Sequence, residues 1–89
     1  MFNGIIKNTG KVIKIYKRNN DCVIKILSKM KLTKNDIGSS ISCSGVCLTV
    51  EKYNKNSIQF YVSKETLNRT IFKSSKKGDI INLEKSLKY

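Results

Sequence analysis

Apolar side chains return at every second position along this chain, in one short run after another, and the spacing stretches to four only once. Successive residues of a strand point to opposite faces, so each such run is a strip with one face to bury. In "KVIKIYK" (residues 11–17) Ile13 and Ile15 share one face, while Lys14 and Tyr16 share the other. "RNND" (18–21) reads as a turn, and "CVIKILS" (22–28) pairs back as a second strand. "SISCSGVCLTVEKY" (40–53) is long for one strand, and Gly45 near its middle marks a bulge or a bend between two halves. "NKN" (54–56) closes another hairpin into "SIQFYV" (57–62). Ile81 and Leu83 then alternate with Asn82 and Glu84 in a last strand.

The change of period falls at residues 63–72, where Leu67 and Ile71 lie four apart on one helical stripe. Ser63 is placed to cap that helix. Glu65 sits in its first turn, where an acidic group suits the helix dipole. Residues 29–38 are too polar for a strand and read as a loop with at most a helical turn. With no proline and five glycines, punctuation falls to glycine and to clusters of Asn, Asp and Ser. About six short strands and one short helix share 89 residues, one domain's worth of chain, and no internal repeat is visible. Short strands of this number remove their edges by closing on themselves. The expected class is all-β, a closed or nearly closed antiparallel barrel spanning residues 1–89. Pattern alone admits an oligonucleotide-binding barrel equally well.

Basic residues outnumber acidic ones 18 to 6, for a formal charge of +12. Such a balance points to a polyanion: RNA, DNA or an anionic membrane. Its distribution points elsewhere. Sixteen of the basic residues are lysines spread along the whole chain. Only Arg18 and Arg69 offer the bidentate fork that guanine or phosphate readout recruits. "KSSKK" (73–77) comes nearest to a cluster and reads as a solvated loop. The aromatics are scattered rather than grouped as stacking platforms. Lysine, asparagine and isoleucine rising together is what coding drift in an AT-rich genome produces. Nucleic acid is a disfavoured partner, and no run nears the ~18 apolar residues that span a bilayer.

Cys22, Cys43 and Cys47 make an odd number, and no signal-peptide pattern precedes them, so a reducing cytoplasm is the expected setting. No histidine exists and no second cysteine pair completes a tetrahedral set, so a metal site is not expected. The same lack of an imidazole excludes a Ser- or Cys-based triad. Any general base would have to be Lys, Asp, Glu, Tyr or Cys.

Alternation sorts "GVCLTV" (45–50) into two sets. Val46, Leu48 and Val50 belong to the core. Gly45, Cys47 and Thr49 share the other face, which is small and mildly polar. That face suits a flat ligand lying against the sheet, or else it simply meets a neighbour or solvent. "SKET" (63–66) sets two hydroxyls, an ammonium and a carboxylate at a strand-to-helix junction. Free backbone N–H groups there could hold an oxyanion or ring carbonyl, or the segment is only a cap with solvated charges.

Four segments together resemble riboflavin synthase. "MFNGII" (1–6) is similar to that family's MFTGI start, "GVCLTV" to its G-x-C-L-T-V segment, and "SKETL" (63–67) to its K-E-T-L. "KKGDIINLEKSLKY" (76–89) resembles the closing G-D-x-V-N-L-E stretch. They occur in the family's order and cover the whole chain. The resemblance is to the N-terminal of two similar barrels, which makes the expected fold a small six-stranded antiparallel Greek-key barrel with one short helix. It implies an enzyme that dismutates two 6,7-dimethyl-8-ribityllumazine molecules by moving a four-carbon unit between them. The products are riboflavin and 5-amino-6-ribitylamino-pyrimidinedione, and no metal or dissociable cofactor is used. Each barrel binds one lumazine in a shallow site completed by a second barrel, in cis or in trans.

Carried over by position, the resemblance implies that Gly4, Ile5 and Ile6 form one wall. Cys47, Leu48 and Thr49 would contact the ring system, Thr49 by hydrogen bonding. Tyr61, Val62, Ser63, Lys64, Glu65 and Thr66 would supply the remaining edge. Ser40 falls where the family has a serine near the site, and Ser40 and Cys47 are the candidates for a catalytic role. Two departures stand out: Asn3 replaces a threonine in the opening motif, and "ISCSG" (41–45) is richer in cysteine and serine than the family pattern. The chain corresponds to one barrel, so it is expected to bind lumazine or riboflavin, to self-associate, and to turn over weakly or not at all alone. A non-catalytic flavin or lumazine carrier is the alternative, and a basic nucleic-acid-binding barrel ranks after it.

Overall fold

The alternating runs do form strands, and the turn signals do break them. The computed structural model describes residues 5–86, with side chains from 8 to 85. Its elements are β1 (Ile5–Arg18), β2 (Asp21–Leu27), β3 (Ser40–Cys43), β4 (Val46–Tyr53), β5 (Ser57–Val62), α1 (Lys64–Arg69) and β6 (Ile80–Ser86). The strands close into an antiparallel barrel in the order β1-β2-β5-β4-β3-β6. β3, β4 and β5 follow one another as hairpins, while β2 lies beside β5 and reaches β3 through the long 28–39 connection, which is a Greek key. The expected all-β Greek-key barrel with one short helix is the observed fold.

Inward positions follow the two-residue period. Cys22, Ile24 and Ile26 of β2, Ile41 and Cys43 of β3, and Leu48 and Val50 of β4 are buried. So are Ile58, Phe60 and Val62 of β5, and Ile81 and Leu83 of β6. Each fully buried aliphatic or aromatic side chain contributes roughly 1.5–3 kcal/mol relative to exposure. The two ends are covered by connections. Met30 and Leu32 pack on the core from the segment after β2, and Leu67 and Phe72 do so from the segment after β5. On the 28–39 connection a single 3-10 turn (Lys34–Asp36) forms, the helical turn allowed for there. Asp36 accepts from the Thr33 amide (2.7 Å) and from Lys85 Nζ (2.8 Å), tying the connection to β6. Burial opposes the charge of Asp36, but the bonds from Lys85 and Thr33 outweigh it and hold the carboxyl below its usual range.

Two local readings change and one is decided between its alternatives. β1 begins well before residue 11. Its first half pairs with β6 (Ile5↔Ser86 to Lys11↔Ile80) and its second half with β2. The β1–β2 register shifts between Val12 and Lys14, so Val12 takes an inward place and Ile13 falls at the irregularity, without a partner on β2. At Gly45 the second of the two expected alternatives holds, a bend between two strand halves: Ser44 (φ 49°) and Gly45 (φ 87°) are both left-handed and form the tight two-residue turn between β3 and β4. Finally, α1 stops at Arg69. The Thr70 backbone is extended, and its hydroxyl donates to Thr66 O (2.8 Å) and accepts from Phe72 N (3.3 Å). That starts a separate 3-10 turn (Ile71–Lys73) which tucks Phe72 inside and leaves Ile71 exposed, away from Leu67.

Candidate functional site

Cross-strand partners point to the same side of a sheet, so the register alone assembles a band on the outside of the barrel. Ser40 of β3 faces Thr49 of β4, Thr49 faces Tyr61 of β5, Tyr61 faces Val23 of β2, and Val23 faces Tyr16 of β1. One pleat further along, Ser42 of β3 faces Cys47 of β4. Cys47 is exposed, and Ser42, Thr49 and Tyr61 are half-buried. Hydroxyls, a thiol and an aromatic edge thus share one shallow surface. Val23 is wholly covered (0% exposed) although it faces outward between Tyr16 and Tyr61. Val23 thus gives the middle of the band an apolar footing.

At the upper end of the band the cap on α1 forms as the sequence indicates. Ser63 Oγ accepts from Thr66 N (3.1 Å) and lies 3.0 Å from Thr66 Oγ1. The N–H groups expected to be free are mostly taken, however. Lys64 N donates to Asp21 Oδ1 (3.0 Å), and Leu67 N donates to Ser63 O (2.8 Å). The junction holds itself together with its own donors, so what it offers outward is mainly side chains.

Asp21 is the residue that sequence reasoning passed over as part of a turn. Its second oxygen accepts from the Tyr61 hydroxyl (2.8 Å), so one carboxylate fixes both the Tyr61 ring and the first residue of α1. The Tyr61 bond, then the Lys64 amide, holds the Asp21 carboxyl below its usual range, with Arg18 adding attraction against some burial. The same bond, together with burial, pushes the Tyr61 phenol up. Beside them Arg18 grips both oxygens of Glu51 and lies 6.0 Å from the Tyr61 ring centroid. Gln59 Nε2 also donates to Glu51 (3.1 Å). Arg18 first, then Gln59, holds Glu51 low despite burial. Carboxylates held low are poor bases near neutrality. Their role is to place Tyr61, Arg18 and the cap.

The remaining expected residues divide as follows. Leu48 and Val62 (2% and 0% exposed) point into the barrel, so only their backbone is near the band. Lys64 and Glu65 are exposed, and Glu65 pairs with Arg69 (3.2 Å) along the helix. Gly45 belongs to the hairpin turn, where Ser44 Oγ accepts from Asn82 N (3.1 Å) and Ser44 N donates to Asn82 O (2.7 Å). Gly4 lies outside the described residues. Ile5 and Ile6 open β1 opposite Ser86 and Lys85. Among the cysteines, burial and the neighbouring Cys47 push the Cys43 thiol up to about 12, which leaves it protonated and inert. Cys47 alone is exposed.

A family model described as the lumazine binding domain matches residues 3–86. Several riboflavin synthases are similar over the whole chain. That of Buchnera aphidicola subsp. Baizongia pistaciae is 38% identical over 90 residues, covering 100% of this chain and 42% of the relative. That of Photobacterium phosphoreum is 39% identical over 88 residues (98% and 40%), and that of Escherichia coli 35% over 91 residues (100% and 42%). The chain therefore spans about 40% of the length of these curated relatives. No helix among the described residues is long and apolar enough to cross a membrane.

Proposed function

The chain belongs to the lumazine-binding domain family, and on that premise we propose that it is the N-terminal, substrate-binding barrel of a riboflavin synthase. The carrying observation is the family match across residues 3–86. The ligand is 6,7-dimethyl-8-ribityllumazine, laid against the outer band. Thr49 and Ser40 hydrogen-bond to the heterocycle, and Cys47 gives a small polarizable contact beside it. The edge is supplied by residues 61–66, with Ser63, Glu65 and Thr66 turned to the ring or the ribityl chain.

The reaction joins two such ligands. A proton leaves an acidified ring methyl of one and that carbon attacks the partner ring. As the four-carbon unit passes across, the donor's C–N bonds to it break, so the donor departs as 5-amino-6-ribitylamino-pyrimidinedione and the acceptor becomes riboflavin. One shallow band holds one ring, so turnover needs a complementary barrel, in cis or in trans, and self-association of two copies gives a partial stand-in. Holding two rings in register can supply about 7–11 kcal/mol of entropic advantage. That suits a surface whose carboxylates are engaged in positioning.

The test is reconstitution. The 89-residue chain is mixed with a separately produced C-terminal barrel of a riboflavin synthase, and riboflavin formation is followed by absorbance. Product should form in the mixture and only weakly, or not at all, with the chain alone. Two folded, lumazine-binding barrels that make no riboflavin together would overturn the enzymatic reading. Full turnover by the chain alone would overturn the need for a second barrel.

A further inference from the structure

The barrel end remote from α1 carries a second kind of surface. A recess of ≈ 600 Å³ opens between the segment after β2 and the tip of the β4–β5 hairpin. That size falls within the range of small-ligand sites. Leu32 and Tyr53, both half-buried, line it with apolar surface above the buried Met30, and all three pack on the core. Lys29, Lys31 and Lys55 complete its sides and are exposed.

The two walls are fixed to each other before any ligand arrives. Ser28 N donates to Asn56 O (2.9 Å), and Ser28 Oγ accepts from Met30 N (3.1 Å). On the hairpin side Asn54 Oδ1 accepts from Asn56 N and Ser57 N, each at 2.9 Å, and from Ser57 Oγ at 3.0 Å. The charge here is of one sign. An adjoining hollow that shares Tyr53 adds Lys25 and Lys52, and no acidic residue lines either among the described residues. Glu51, next along β4, is already held by Arg18 and Gln59.

We propose that this recess binds a small amphipathic anion: a flat apolar group carrying a phosphate, sulfonate or carboxylate. The apolar group lies on Leu32 and Tyr53, over the buried Met30, and the anionic group meets the lysines at the mouth. Partly solvated lysines attract an anion most when its apolar part holds it at close range, where water screens less. A second copy set symmetrically against this end would bring these lysines face to face with their own counterparts. The site is separate from the Thr49 band and does not depend on the lumazine reading.

The probe is 8-anilinonaphthalene-1-sulfonate, titrated by fluorescence, with its location mapped by amide shifts in ¹⁵N NMR. Saturable one-to-one binding is expected, with shifts at residues 29–32 and 53–56. It should weaken about fivefold in Lys29→Ala/Lys55→Ala, roughly what ~1 kcal/mol of charge attraction confers, and weaken with added salt. Because both lysines are exposed, the variant should keep the wild-type NMR dispersion. Saturating 6,7-dimethyl-8-ribityllumazine should not displace the probe. Shifts scattered over the surface, shifts on the Thr49 band, or an affinity unchanged by the double substitution would each overturn the proposal. So would an oligothymidylate binding there more tightly than the sulfonate, which would assign the patch to a polyanion.

Discussion

A methyl group added at Gly10 would stand 2.9 Å from the carbonyl oxygen of Leu27 and closer still to Ile26 Cγ2. Gly10 faces the interior where β1 crosses from β6 to β2, and the barrel has closed around its bare backbone. Gly10→Ala should destabilise the chain by about 1–3 kcal/mol through overpacking, read as a lower denaturation midpoint with an unchanged slope. Other single residues were unequally legible in the sequence. Cys47 and Thr49 could be placed on an outer face because alternation within one strand is a local property. Asp21 could not, since the Tyr61 and Lys64 it holds lie 40 and 43 positions away and only the β2–β5 register brings them near. Leu48 and Val62 were carried over from the family by position, yet a strand period sends their side chains inward.

Among the elements, α1 is a helix of only six residues, and its first turn is tied by the Ser63 hydroxyl and by Asp21. Ser63→Ala removes the acceptor for Thr66 N and a partner of the Thr66 hydroxyl. A loss of about 1 kcal/mol is expected, measurable by denaturation, with amide exchange quickening first over residues 64–69. Helix cap and hairpins were legible because their chemistry sits within a few residues: Ser63 before Glu65, Asn19 with φ 58°, and Ser44–Gly45. The first half of β1 was not, because its partner β6 lies at the far end of the chain and its inward residues include Asn8 and Gly10 rather than large apolar groups. The helix was read too long for a similar reason. Leu67 and Ile71 have helical spacing, but the Thr70 hydroxyl offers the backbone a competing turn.

For the molecule as a whole, few acidic groups offset many basic ones, and three of the acids are structural ties. Asp21, Asp36 and Glu51 all have carboxyl groups held below their usual values of 3.8, 3.8 and 4.5. A carboxyl depressed in the folded state adds stability above its unfolded value and loses it as pH falls through the folded one. The denaturation midpoint should therefore change little from about pH 7 to 5 and fall steeply below about pH 4. Added salt should recover part of the loss, because protonation raises a charge that is already +12. A midpoint flat down to pH 2 would mean that these ties contribute nothing.

The most direct measurement is a fluorescence titration of the 89-residue chain with 6,7-dimethyl-8-ribityllumazine, run on wild type and on Thr49→Ala. Wild type should bind saturably at one ligand per barrel. Thr49→Ala, with its partner Ser40 and neighbour Tyr61 still in place, should bind about fivefold more weakly, as loss of one hydrogen bond of ~1 kcal/mol requires. A folded wild-type chain that gives no saturable change, or a Thr49→Ala chain that binds as tightly as wild type, would contradict the assignment of the Ser40–Thr49–Tyr61 band as the lumazine site.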